Sequence, residues 1–198
     1  MSETKVHQEP TGESAMKLSE IEFEDEAFKA CVLASGEENA EDIVELRCRK
    51  QKIKSAAGIE HLINLRTLDL TRNELSELDL TNNSKLEEVF LGNNELTSLD
   101  VSGCNALTHL EVFINQLETL DLSHNPLLEA FYANKNDLEM LDLSNNKELI
   151  DLRLSGNDLS DIDLSVNDKL RRLELVKNPL SAAAKALLEQ RQDTQLEL

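Results

Sequence analysis

The chain has few of the residues that build enclosed catalytic pockets or cross-linked folds. Its 198 residues include no tryptophan, one tyrosine and five phenylalanines, so aromatics make up 3%. A core built of rings is excluded, and any grouping of so few rings is informative. The three cysteines, Cys31, Cys48 and Cys104, are an odd number at distant positions. That pattern suggests neither a disulfide framework nor a zinc site, and reduced thiols in a cytosol-like compartment are expected. The six glycines are scattered and form no phosphate-cradling loop. No apolar run of about 18 residues occurs, and residues 1–18 lack the charged-then-apolar layout of a secretory signal. The expected localisation is cytoplasmic, and export by a route that needs no cleavable signal peptide is the alternative. Basic residues are scarce too, 20 against 39 acidic ones, for a net charge of -19. The negative far field repels phosphates, so neither nucleic acid nor a membrane surface is an expected partner.

What the chain does have is repetition. Asn73, Asn94, Asn115, Asn136, Asn157 and Asn178 follow one another at a constant step of 21 residues. Around each stands one frame, as in Leu65-x-x-Leu68-x-Leu70-x-x-Asn73-x-Leu75, and an earlier copy runs Ile43-x-x-Leu46-x-Cys48-x-x-Gln51-x-Ile53. This is the pattern of seven leucine-rich repeats over 43–180. The Leu-x-Leu step alternates buried and outward side chains, as a strand does, and stacking the copies builds a parallel sheet. No single copy can bury its leucines alone. An asparagine amide can satisfy both donors and acceptors where the chain turns inward, which predicts an asparagine ladder with Gln51 as a longer substitute.

A second alternation, such as Leu120-Asp121-Leu122-Ser123, marks an extended back of each coil. It is accompanied by a buried polar column of Asn83, Asn125, Asn146 and Asn167, in which Cys104 takes one place as an unreactive thiol. Asp79, Asp100, Asp121, Asp142 and Asp163 align along this back. They are expected to bond their own backbone rather than hold calcium. The stack needs caps. Residues 19–42 are expected to form a helical N-terminal cap with Phe28, Cys31 and Val32 inward, and residues 181–198 a helical C-terminal cap. In the latter, Ser181 is the N-cap, with Ala186, Leu187 and Leu188 over the last coil. Residues 1–18 read as a flexible tail.

The helical front cap, the entry segment from Ile53 to Leu65 and the Leu-Asp-Leu-Ser-x-Asn half-repeats resemble those of the bacterial internalin-like leucine-rich-repeat proteins. The resemblance covers about Ile21 to Leu180. It implies a curved solenoid, with a parallel sheet on the concave face and short extended segments and turns on the convex one, that recognises other proteins through its sheet. Members are often exported or displayed on the cell surface. No signal peptide, wall-sorting tail or immunoglobulin-like domain is read in the sequence, so surface display is not the expectation for this chain.

The outward positions of the sheet face form four columns. They hold eight basic and six acidic residues, a surplus of two positive charges on a chain of -19. Phe90, Phe113 and Tyr132 fall outward in three successive repeats beside His109 and Ile114. Central aromatics of this kind form interface hot spots. The expected site is Phe90, His109, Glu111, Phe113, Ile114, Tyr132, Arg153 and Arg172. It would receive a protein or peptide with an apolar anchor and acidic flanks, on a monomer. His109 beside Glu88 and Glu111 has acid–base residue types, but an open sheet encloses no pocket and supplies no nucleophile, so an enzyme is not expected. Neither a cofactor nor a metal is expected.

Overall fold

The computed structural model describes residues 15–198. Each coil contributes one three-residue strand whose middle side chain points into the core. The strands are β1 (Glu45–Arg47), β2 (Thr67–Asp69), β4 (Glu88–Phe90), β6 (His109–Glu111), β7 (Ala130–Tyr132), β8 (Asp151–Arg153) and β9 (Arg172–Glu174). They pair in parallel in that order, with register Leu46, Leu68, Val89, Leu110, Phe131, Leu152, Leu173, as the 21-residue frame requires. On the convex side β3 (Glu77–Asp79) pairs with β5 (Ser98–Asp100). Behind the strands the leucine columns are almost wholly sealed; Leu65, Leu86, Leu107, Leu128, Leu149 and Leu170 are all 0% exposed. Each such side chain contributes about 2 kcal/mol of burial.

The asparagine ladder joins each coil to the one before it. Asn115 Nδ2 donates to the carbonyls of Leu91 and Val112, both within 3.0 Å, and Asn115 Oδ1 accepts from Leu96 N at 2.9 Å. Asn73, Asn94, Asn136, Asn157 and Asn178 repeat this geometry. Gln51 does not belong to the ladder. Its side chain is exposed, because a rung needs a preceding coil and only the cap precedes this one. The turn at Gln51 is served instead by Asn73 Oδ1, which accepts from the Gln51 and Ile53 amides.

The front cap is a short helix, α1 (Glu26–Leu33). Asp25 Oδ1 accepts from Ala27 N and Phe28 N, both at 2.9 Å, while Asp25 Oδ2 accepts from Lys54 N and Ser55 N. One carboxylate thus caps the helix and ties it to the first coil. Phe28 and Val32 are 0% exposed. Cys31 is disulfide-bonded to Cys48, which overturns the expectation of reduced thiols at these two positions. Seventeen residues apart in sequence, they meet because the inward stripe of α1 lies over the buried position that follows β1. Of the expected flexible tail, 1–14 lie outside the described residues. Its end is ordered, with Lys17 bridged to Asn39 and Leu18 buried.

The rear cap is only partly helical. Ser181 Oγ accepts from Ala184 N to start α2 (Ala182–Leu188), which buries Ala184 and Leu188 and leaves Ala186 and Leu187 outward. The inward pair is therefore one helical turn apart, not the contiguous run expected. The chain then turns back as β10 (Gln195–Glu197) and pairs in parallel with β9, adding an eighth strand to the sheet. Arg191 donates to the carbonyls of Leu164 and Asn167 at 3.0 and 2.6 Å. Those two carbonyls occupy the places that Asn146 and Asn167 bond in the coils before, so the guanidinium ends the convex asparagine column.

Candidate binding face

The register brings two outward columns into line. One runs Glu45, Thr67, Glu88, His109, Ala130, Asp151, Arg172, and the other runs Arg47, Asp69, Phe90, Glu111, Tyr132, Arg153, Glu174. Neighbouring strands lie about 4.8 Å apart, so side chains of adjacent coils touch. The Phe90 and His109 rings are 5.2 Å apart between centroids, and His109 meets Tyr132 edge-on at 5.1 Å. Arg153 lies over the Tyr132 ring at 4.1 Å. All four side chains are half-buried. The outer end of the Phe113 ring lies over Gly92, where a Cβ would overlap it, so the ring keeps this place only above a glycine. Ile114 is exposed at the next position.

Every residue of the expected site lies on this face, but the cationic ends are not free. Arg153 binds Asp151 at 2.8 and 3.1 Å and approaches Glu174. Arg172 holds Glu174 at 2.6 Å and comes within 3.7 Å of Glu197 on β10. The hydrogen bond to Asp151 is the main cause that raises the Arg153 pKa. Burial pushes the Asp151 carboxyl up, but hydrogen bonds from Arg153 and Tyr132 outweigh it and hold it below its ordinary value. Tyr132 is raised, first by burial and then by its 3.0 Å bond to Asp151. His109 Nε2 lies 2.9 Å from Glu111 Oε1. The outcome is one interlocked row from Phe90 to Glu174.

Asp69 and Thr71, which the frame places outward, are 2% and 6% exposed. Asp69 accepts from Thr71 N at 3.0 Å and pairs with Arg49 at 2.9 Å. It is an acid buried by its own partners. Spacing alone does not single out Asp151 and Glu174, although their position two residues from an arginine on the same strand face is a usable signal.

The convex side differs. Asp100, Asp121, Asp142 and Asp163 each accept from the backbone N–H of the serine two residues on. The hydrogen bonds from these serines hold the carboxyls below their ordinary pKa. Cys104 is sealed, and burial pushes its thiol up to about 12, with Asp100 and Asp79 adding to the effect. No group of three metal-ligating side chains occurs among the described residues.

The family described as Leucine Rich Repeat matches residues 116–133. The functional domain of InlJ from Listeria monocytogenes is 26% identical with a TM-score of 0.55, over 84% of this chain and 48% of that one. Internalin C2 from the same organism is 24% identical with a TM-score of 0.64, over 93% and 96%. The chain folds as a leucine-rich-repeat solenoid similar to those of the internalins. A third similar structure, the Leptospira interrogans protein LIC12759, is 23% identical with a TM-score of 0.57, over 71% and 45%. The chain thus spans about half the length of InlJ and of LIC12759, and nearly all of internalin C2. At 24% and 23% identity the last two are likenesses of fold alone. No curated protein matches the chain by sequence. Leucine-rich-repeat folds generally mediate protein–protein interaction and are typically not enzymes.

Proposed function

We propose that the chain is a protein-interaction module that receives a partner protein or peptide on the concave sheet face, through an apolar anchor seated among Phe90, Phe113, Ile114 and Tyr132. One observation carries this reading. Half of the chain's six rings gather on one face of three successive coils, although none of the three is needed in the core. Partly exposed aromatics grouped at the centre of a face are the usual make-up of a binding hot spot. The contacts these side chains make with one another preorganise the row and lower the entropy lost on binding. Replacing Phe90, Phe113 and Tyr132 together by alanine is expected to leave the circular dichroism spectrum unchanged and to remove the proteins that the wild type captures in an affinity pull-down read by mass spectrometry. Retained capture refutes the face.

A second reading, an exported effector or adhesion protein acting on a host protein through the same face, is favoured by the Cys31–Cys48 bond. Disulfides persist in oxidising compartments and are rare in a reducing cytosol. Recovery of the protein from culture supernatant with Cys31 and Cys48 resistant to alkylation supports export; strictly cellular recovery with both thiols alkylated removes it.

A further inference from the structure

One position in each coil, Lys50, Arg72, Asn93, Ile114, Lys135, Gly156 and Lys177, has φ between 54° and 72°. This left-handed region suits glycine and asparagine, and a β-branched residue least of all. Only Asn93 and Gly156 comply. The other five carry long or branched side chains, and all five are exposed. From Lys50 to Gly156 the backbones are held to the next coil: Arg72 N donates to Gly92 O, Ile114 N to Asn134 O and Lys135 N to Ser155 O, each at 2.8 Å. These six positions therefore form a fixed ridge along the edge of the sheet face, with Lys177 at its end.

Charge is sorted across that face. All six acids of the face stand in the two strand columns, where arginines or His109 pair with five of them. The ridge and the column beside it hold none. Among the described residues, Lys50, Arg72, Lys135 and Lys177 enter no ion pair of the face. Beyond the ridge the sequence turns acidic again at Glu74, Glu95, Asp137 and Asp158. A narrow line of four cations, interrupted by Asn93, by Ile114 beside Phe113 and by Gly156, thus runs between two acidic zones.

We propose that this ridge is the docking line for an extended acidic segment of a partner protein, with carboxylates on Lys135 and Arg72 and an apolar side chain on Ile114 and Phe113. The proposal rests on the reading of the sheet face as a binding surface and adds the place where the partner's acidic flanks dock, on the ridge rather than on the paired Arg153 and Arg172, and the partner's direction. Coils repeat at about 4.8 Å and an extended peptide rises about 3.3 Å per residue. One carboxylate therefore falls about one to two residues from the apolar anchor, and the other about three residues away on the opposite side. The asymmetry fixes the orientation of the segment. A nucleic acid strand, charged along its whole length and wider than the ridge, would lie on the flanking carboxylates.

The test uses the full chain and a fluorescently labelled peptide of about ten residues, with a central leucine and aspartates at those offsets, followed by anisotropy. The net charge of -19 repels such a peptide, so binding requires the local ridge. The double variant Arg72→Asn, Lys135→Asn keeps residues that suit the backbone, and its melting temperature is expected to be at least that of the wild type. Its affinity is expected to fall at least tenfold and to lose most of its salt dependence, while Lys147→Asn on the convex side leaves affinity unchanged. Equal binding by wild type and double variant overturns the ridge. So does an absence of peptide binding to the wild type, or tighter binding of a mixed-sequence single-stranded oligonucleotide than of the peptide. Failure of the sheet-face reading is distinct: the triple alanine variant then still captures its partner, whatever the peptide does.

Discussion

Two columns of buried asparagine run through the solenoid, and they are used differently. On the strand side, each amide works at both ends, with Nδ2 donating to two carbonyls and Oδ1 accepting a backbone N–H. On the convex side, Asn125, Asn146 and Asn167 only donate, and their Oδ1 atoms have no protein partner among the described residues. The first position demands a donor and an acceptor on one short side chain. The second demands a donor alone. A thiol therefore stands at Cys104, where Sγ reaches Leu80 O at 3.4 Å, and an arginine closes the same column at its end.

The contrast breaks most directly at Asn115. Asn115→Ala orphans Leu96 N and two carbonyls, each costing about 1–3 kcal/mol, so a loss of about 4 kcal/mol is expected in urea denaturation. Asn125→Cys keeps a donor and is expected to cost only about 1 kcal/mol. Equal losses would erase the distinction between the columns.

At the ends of the stack a single group replaces a whole coil. Replacing Cys31 and Cys48 by serine and alanine removes the bond across 17 residues and is expected to cost about 3 kcal/mol. Asp25→Ala is expected to cost about 2 kcal/mol, through the lost cap and the two amides of the first coil. Burial pushes the Asp25 carboxyl up, but four backbone N–H groups outweigh it and hold it below 3.8. Its folded-state pKa is depressed, so its stabilisation is complete above about pH 4 and fades as pH falls below 3.8. Denaturation from pH 7 to pH 2.5 should therefore show a steeper acid loss in the wild type than in Asp25→Ala.

The repeat frame, the sheet and the ladder are legible in the sequence because each coil poses the same packing problem and solves it with the same residues. Gln51 misleads because its amide suits the ladder while the coil it would bond is missing. The Cys31–Cys48 pair depends on how a helix sits on the first coil, and spacing does not report that. β10 carries a readable signal, since Gln195-Leu196-Glu197-Leu198 copies the alternation of Arg172-Leu173-Glu174-Leu175, but it follows a helix and falls outside the 21-residue step. The aromatic row is legible from the columns alone. The neutralisation of Arg153 and Arg172 is not, because a sum over the face hides which charges meet.

A position whose residue answers its own coil's hydrogen bonds is explained by the fold. Ile114 is not, since asparagine or glycine suits its backbone better at the same place in other coils. The deciding measurement pairs the melting temperature of Ile114→Gly with partner capture. A higher melting temperature, by roughly 1 kcal/mol of stability, is expected together with weaker capture. A lower melting temperature with capture unchanged would contradict this expectation.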